Sequence, residues 1–362
     1  MRRLDYIDSV RGIAALAVVY FHLAFFFCTR GTPLWDFAFF TEFVDAGKVG
    51  VVAFFIVSGM VIPHSLTGEA AEPLKRFAAR RFFRLYPAYW LSALLALCGL
   101  FLMEGKAWPG PFFLWRGDGH PLWPTVIVNL TMLQQFAGVP NLIGVYWTLQ
   151  IELIFYILCA LLFVRRQSGR EHWLALAFLG CALLAAAARG TLAVRVPVGL
   201  ALALALMFWG SVWRRYVVDG EAQALRWSLR FLVAFALLMP FVSVLGYDMD
   251  LGYDETWYRY LLSYFAAVAL VVLITLGRLQ GRVLSWLGRI SYSIYLFHLL
   301  VLAAYFMLVP VAALAPHVHV ALVIALTLCV AQLVYAFVEA PAIRLGRALS
   351  EKPALRAARV SP

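Results

Sequence analysis

Charge is what this sequence has least of. Only 14% of its 362 residues are charged, against 64% that are hydrophobic, and the mean hydropathy is +0.85. A soluble domain of this length carries about 25% charged residues, so a water-soluble globule is excluded. Cysteine is also scarce: Cys28, Cys98, Cys159, Cys181 and Cys329 are scattered, with no metal or redox spacing, and are expected to be small buried hydrophobes. There is no His-Glu-x-x-His stretch and no Ser or Cys in a recognisable nucleophile motif. Neither a metal nor a bound cofactor is therefore expected. Internal repeats, low-complexity tracts and soluble domains are missing too. No small-x-small cleavage site follows the first apolar run, which ends FFFCTRG, so that run is expected to stay as a membrane span.

What the sequence has is long apolar runs. Measured against a bilayer core of about 30 Å, ten of them can span, at roughly 8–28, 46–66, 87–103, 142–164, 172–189, 196–213, 229–246, 258–277, 290–309 and 318–338. The expected fold is an all-α polytopic bundle of about ten transmembrane helices. Its membrane domain covers 1–345, and a short cytoplasmic tail covers 346–362. Segment 125–138 is apolar as well, but Pro124, Asn129, Gln134, Gln135 and Pro140 mark it as interfacial or re-entrant.

The basic residues orient the bundle. With a cytoplasmic N-terminus and ten spans, 22 Lys and Arg fall on the cytoplasmic side and seven outside. Both termini are then cytoplasmic by the positive-inside rule. The net charge of +11 reads as a topology and lipid-headgroup signature, not as a sign of nucleic acid.

A few ionisable residues interrupt the apolar runs, where they are costly and usually face a protein interior or a cavity. In RGIAALAVVYFH, Arg11 and His22 are eleven residues apart. That is about 20° past three turns, so they share a helix face, with a rise of about 16 Å between them. Such a pair suits a long ligand with an anionic head and a reactive tail. The second run, GKVGVVAFFIVSGMVI, has Gly47, Gly50 and Gly59 with Ser58, and small residues there favour close helix packing. The stretch KRFAARRFFRLYPAYW places Arg76, Arg80 and Arg84 four apart beside Arg81. This basic amphipathic face can lie on anionic lipid or grip phosphates. YWTLQIELIFY puts Glu152 in a span after Tyr146 and Trp147, and SYSIYLFH puts His298 three residues after Tyr295. Each alone reads as an interhelical hydrogen bond, but four such groups in one bundle point to a site. The outer segment WPGPFFLWRGDGHPLWP at 108–124 is either an aromatic belt or a lining for a sugar. Asn129-Leu130-Thr131 matches a glycosylation sequon of little weight beside an apolar run.

Taken in order, these fragments resemble the acyltransferase-3 family of bacterial polytopic membrane acyltransferases, over about residues 4 to 345. LDYIDSVRGIAALAVVYFH is similar to its first-helix signature, VGVVAFFIVSGMVI to its second helix and RRFFRLYPAYW to its cytoplasmic Arg motif. YWTLQIELIFY, LGRISYSIYLFH and VEAPAIRL resemble its later signatures. The resemblance implies a bundle of roughly ten helices in the bacterial cytoplasmic (inner) membrane. It also implies O-acyl transfer, most often of acetyl, from cytoplasmic acyl-CoA to a carbohydrate, glycolipid or other envelope acceptor. No appended hydrolase-like domain is expected, which leaves the acceptor open, as is a homo-oligomer.

On that resemblance, Arg80, Arg81 and Arg84 hold the CoA phosphates, and Arg11 stands at the tunnel mouth. The pantetheine arm then reaches His22, the general base or, in a second route, a covalent acyl carrier. Glu152 holds the imidazole tautomer or meets the acceptor, His298 is catalytic without a defined role, and Ser58, Tyr146, Trp147 and Tyr295 support them. The alternative is a transporter or flippase for a small anionic or glycan substrate, since carriers too hold ionisable groups at mid-membrane.

Overall fold

Without water to satisfy the backbone, apolar runs in lipid close their own hydrogen bonds as helices. The computed structural model describes residues 5–29, 31, 34, 42–66, 72–102, 119–194, 196–247 and 256–350. Among these residues there are helices and turns but no strand. The α-helices are α1 (Asp5–Cys28), α2 (Ala46–Val61), α3 (Pro73–Leu102), α4 (Leu122–Leu130), α5 (Trp147–Val164) and α6 (Glu171–Leu192). They continue with α7 (Val198–Asp219), α8 (Ala222–Tyr247), α9 (Trp257–Leu276), α10 (Arg282–Leu308), α11 (Pro316–Val334) and α12 (Ala340–Ser350).

Nine segments among the described residues are long and apolar enough to cross a membrane. The tenth expected span is α7, a 22-residue helix whose last turns carry Arg214 and Arg215. α4 has nine residues, about 13 Å, too short to cross, in keeping with an interfacial or re-entrant piece. Large apolar side chains stand outward on the helices: Leu308 is 83% exposed and Phe337 76%. Hydrocarbon is the medium that such a surface suits. Four of the five cysteines, expected inside, are also exposed, and only Cys159 is buried. On a lipid-facing surface a small apolar side chain needs no burial.

The helices outrun the apolar windows. α3 begins at Pro73 rather than 87, so Lys75 to Arg84 and the apolar half form one continuous 30-residue helix, about 45 Å long. α12 continues past residue 345 to Ser350. The tail at 351–362 and most of the aromatic segment 108–124 lie outside the described residues.

The chain divides into two compact units, Met1–His64 with Ile151–Arg289, and Ser65–Gln150 with Ile290–Pro362. In the first unit α2 packs on α1, α7 and α9, while α6 packs on α7 and α8. Glycines set the approach. A side chain at Gly59 would run into the Met207 carbonyl of α7, and one at Gly210 into the Ile56 carbonyl of α2. The packing role expected for the small residues of this run is thus met at Gly59, and Gly50 likewise lies against the Ala14 carbonyl of α1.

In the second unit, α12 lies along the basic end of α3, with Gly346 against the Phe83 ring. α11 passes into α12 through one π-turn, Tyr335–Glu339, in which the Ala340 N–H bonds the Tyr335 carbonyl. Pro341 follows; its ring would strike the carbonyl four residues back in a regular helix, and the wider turn avoids that clash. The irregular stretch after α4 is held by amide side chains. Asn129 donates to the Thr125 and Pro140 carbonyls and accepts from the Leu142 N–H. Asn129 is fully buried, so the sequon it heads is closed to modification in this fold.

Candidate active site

In the first unit the site begins on α1. Arg11 and His22 lie on the same, partly exposed stripe of this unbroken helix, while Val10, Ala14, Val18 and Val19 are buried. Imidazole Nδ1 of His22 is 2.9 Å from the Val18 carbonyl one turn back. A carbonyl only accepts, so in the neutral ring Nδ1 carries the proton and Nε2 the lone pair. Phe21 meets the His22 ring edge-on, 5.6 Å between centroids, and packs on Gly47 of α2.

That packing brings the start of α2 beside His22. Asp45 caps the helix, accepting from the Lys48 N–H at 2.8 Å. Its carboxylate pairs with Arg259 at 3.5 Å, and its own N–H donates to Ser263 at 2.9 Å. Lys48 stands 4.5 Å over the Tyr260 ring, and Tyr260 is hydrogen-bonded to Tyr247 and Tyr264. Sequence reasoning missed this polar group. Its one signal was an Asp immediately ahead of a glycine-rich helix, the pattern of an N-cap.

Glu152, also in this unit, is half-buried. The Tyr156 hydroxyl donates to its Oε1 at 2.6 Å, and Ser58 Oγ lies at the limit of hydrogen bonding, 3.5 Å. Ser58 and Glu152, singled out separately, are thus brought together. The hydrogen bond from His22 Nδ1 to the Val18 carbonyl already sets the tautomer of the neutral ring.

The second unit holds the arginines. Arg80 Nε donates to Ser350 Oγ at 3.1 Å, and Arg81 donates to Ser65 Oγ at 2.9 Å while lying over the Phe77 ring. Arg84 is 3.7 Å from Oε1 of Glu339, a buried carboxylate that was not singled out from the sequence. The other oxygen of Glu339 accepts from Ser293 at 2.9 Å. Ser293 sits five residues before His298 on α10.

His298 is buried, and its Nδ1 lies 2.8 Å from the Tyr295 carbonyl, which places its lone pair on Nε2 as in His22. The Tyr295 hydroxyl bonds Thr148 and the Val145 carbonyl. Tyr146 is fully buried against Tyr89 and shares a hydrogen bond with Ser92 at 2.7 Å. Trp147 stands 38% exposed. A third histidine, His319, meets the Tyr305 hydroxyl with Nδ1 and the Val311 carbonyl with Nε2. With both nitrogens taken inside the fold, His319 is a structural histidine.

Residues 4–336 match the family described as Acyltransferase domain. The provisionally named acetyltransferase ORF330 of Acidianus two-tailed virus is 26% identical over 81% of this chain and 82% of its own length. The peptidoglycan O-acetyltransferase OatA of Listeria monocytogenes is 25% identical over 92% of this chain, which spans only 55% of that protein. The acyltransferase MdmB of Streptomyces mycarofaciens is 27% identical over 50% of this chain and 45% of its own length. No solved structure matches the chain.

Proposed function

Because the chain belongs to the acyltransferase domain family and is a multi-pass membrane O-acyltransferase, we propose that it takes an acetyl or other acyl group from acyl-CoA. The receiving group is a hydroxyl of a carbohydrate or other envelope acceptor, and the membrane is the bacterial inner membrane. The observation that carries the chemistry is the His22 ring on α1, its Nδ1 proton given to the Val18 carbonyl. Its Nε2 takes the proton of the acceptor hydroxyl, the hydroxyl oxygen attacks the thioester carbonyl carbon, and the C–S bond breaks. The departing sulfur then receives the proton from His22. A positioned base of this kind contributes about 10²- to 10⁴-fold.

Glu152, fixed by the Tyr156 hydroxyl, has the role of accepting a hydrogen bond from the acceptor. For the donor, Arg80, Arg81 and Arg84 on α3, with Arg11, are read as holders of the CoA phosphates. Guanidinium forks match phosphate oxygens, and three of these four lie within five residues of one helix. The acetyl preference and the sugar-like acceptor are supported by the names of the relatives, and the inner-membrane orientation by the basic residues.

The test is transfer itself. Membranes containing the protein, supplied with acyl-radiolabelled acetyl-CoA, are expected to pass label to an envelope fraction or to water. Label that stays on CoA, at a rate no greater than in membranes lacking the protein, overturns the proposal.

A further inference from the structure

Glu339 is the buried carboxylate that the acyl-transfer reading leaves unused. It is 1% exposed, and an ionised group so placed persists only when paired and hydrogen-bonded. Oε2 accepts from Ser293 at 2.9 Å, and Oε1 lies 3.7 Å from Arg84, an ion-pair distance beyond hydrogen bonding. It closes the π-turn between α11 and α12. Such turns occur often at functional sites, because the extra residue re-aims a side chain that a regular helix would turn elsewhere. The helix that follows supports the same row of arginines, through Ser350 on Arg80 and Gly346 on Phe83.

We propose that Glu339 is a positioning residue for the acyl donor. It holds the Arg84 guanidinium from one side and joins it, through Ser293, to the α10 segment that carries Tyr295 and His298. An arginine on a helix surface samples many rotamers and is costly to immobilise on binding; in this proposal the Glu339 carboxylate restricts Arg84 beforehand. The inference rests on the reading of Arg84 as a donor-phosphate ligand.

The experiment measures CoA binding and acyl transfer on purified Glu339→Gln, Arg84→Ala, the double variant and Arg81→Ala. Glu339→Gln keeps the acceptor for Ser293 but removes the charge facing Arg84. CoA affinity is expected to fall about 2- to 10-fold, the scale of immobilising one rotamer-rich side chain, with kcat at saturating donor within a few-fold. In the double variant Glu339→Gln adds nothing to the loss from Arg84→Ala, and dephospho-CoA is discriminated less from CoA than by the parent. Equal and additive losses for donor and acceptor, or a fall in kcat alone, overturn the proposal by assigning Glu339 to general structure. If Arg81→Ala and Arg84→Ala both bind CoA like the parent, the donor reading falls and takes the proposal with it. If those two weaken CoA while Glu339→Gln does not, only the proposal falls. Should Glu339→Gln not fold, Ser293→Ala, which unpairs no charge, carries the test: weaker CoA binding at unchanged kcat supports the proposal, and unchanged binding overturns it.

Discussion

His22 and His319 meet the fold through different hydrogen-bond partners. Both ring nitrogens of His319 bond within the fold, and the hydrogen bond from His22 to Val18 places the proton of the neutral ring on Nδ1. We predict that His22→Ala loses about 10²- to 10⁴-fold in transfer yet folds, since its bond to Val18 lies within α1 and even bonds between helices in lipid average only about 0.6 kcal/mol. CoA binding should persist, because the phosphates are assigned to arginines. The check is transfer, CoA binding and thermal stability on one purified preparation, with Arg11→Ala as the binding-defective contrast. Near-parental transfer, or CoA binding lost as fully as activity, would reject the base assignment. That His22 deserved attention was legible from an ionisable group in an apolar run. Its tautomer was not, because that depends on where the ring swings relative to its own backbone. Asp45 and Arg259 were hidden for another reason: they are 214 residues apart in sequence, and only the folding of α2 against α9 makes them a pair.

Among the helices, apolar windows located the spans but not their ends. Lys75 to Arg84 lay outside the apolar window that began at 87 because hydropathy falls there, but nothing in those residues breaks a helix, and α3 continues through them. Glu339 escaped notice at the edge of an apolar run because its inward direction depends on the π-turn; Pro341 was the available clue. The glycines of α2 were read correctly as packing residues, and they support a prediction about the α2–α7 crossing. A side chain at position 59 meets the Met207 carbonyl, whereas one at Gly180 of α6 meets nothing within 4 Å. Gly59→Leu should destabilise the fold by about 1–3 kcal/mol or more, and Gly180→Leu should be close to neutral. Unfolding temperatures of the two purified variants decide it. Equal behaviour would mean that α2 and α7 can separate at little cost.

For the molecule as a whole, the distribution of basic residues predicts which way round it sits. With 22 Lys and Arg assigned to one side and seven to the other, reporter fusions at position 120 and at position 355 should report opposite sides, with 355 cytoplasmic. Signals from the same side would refute the ten-span topology. One consequence reaches across the whole bilayer from the bond between His22 and Val18. In the proposed mechanism, with Nδ1 held by Val18, Nε2 serves both halves of a turnover, so the proton lifted from the hydroxyl returns through the same atom to the sulfur. A neutral ester and a neutral thiol result, and no proton is left in either aqueous phase. Acyl transfer of this kind carries no net charge through the membrane even when its two substrates arrive from opposite faces, and the membrane potential, worth about 2.3 kcal/mol per charge at 100 mV, neither drives it nor holds it back.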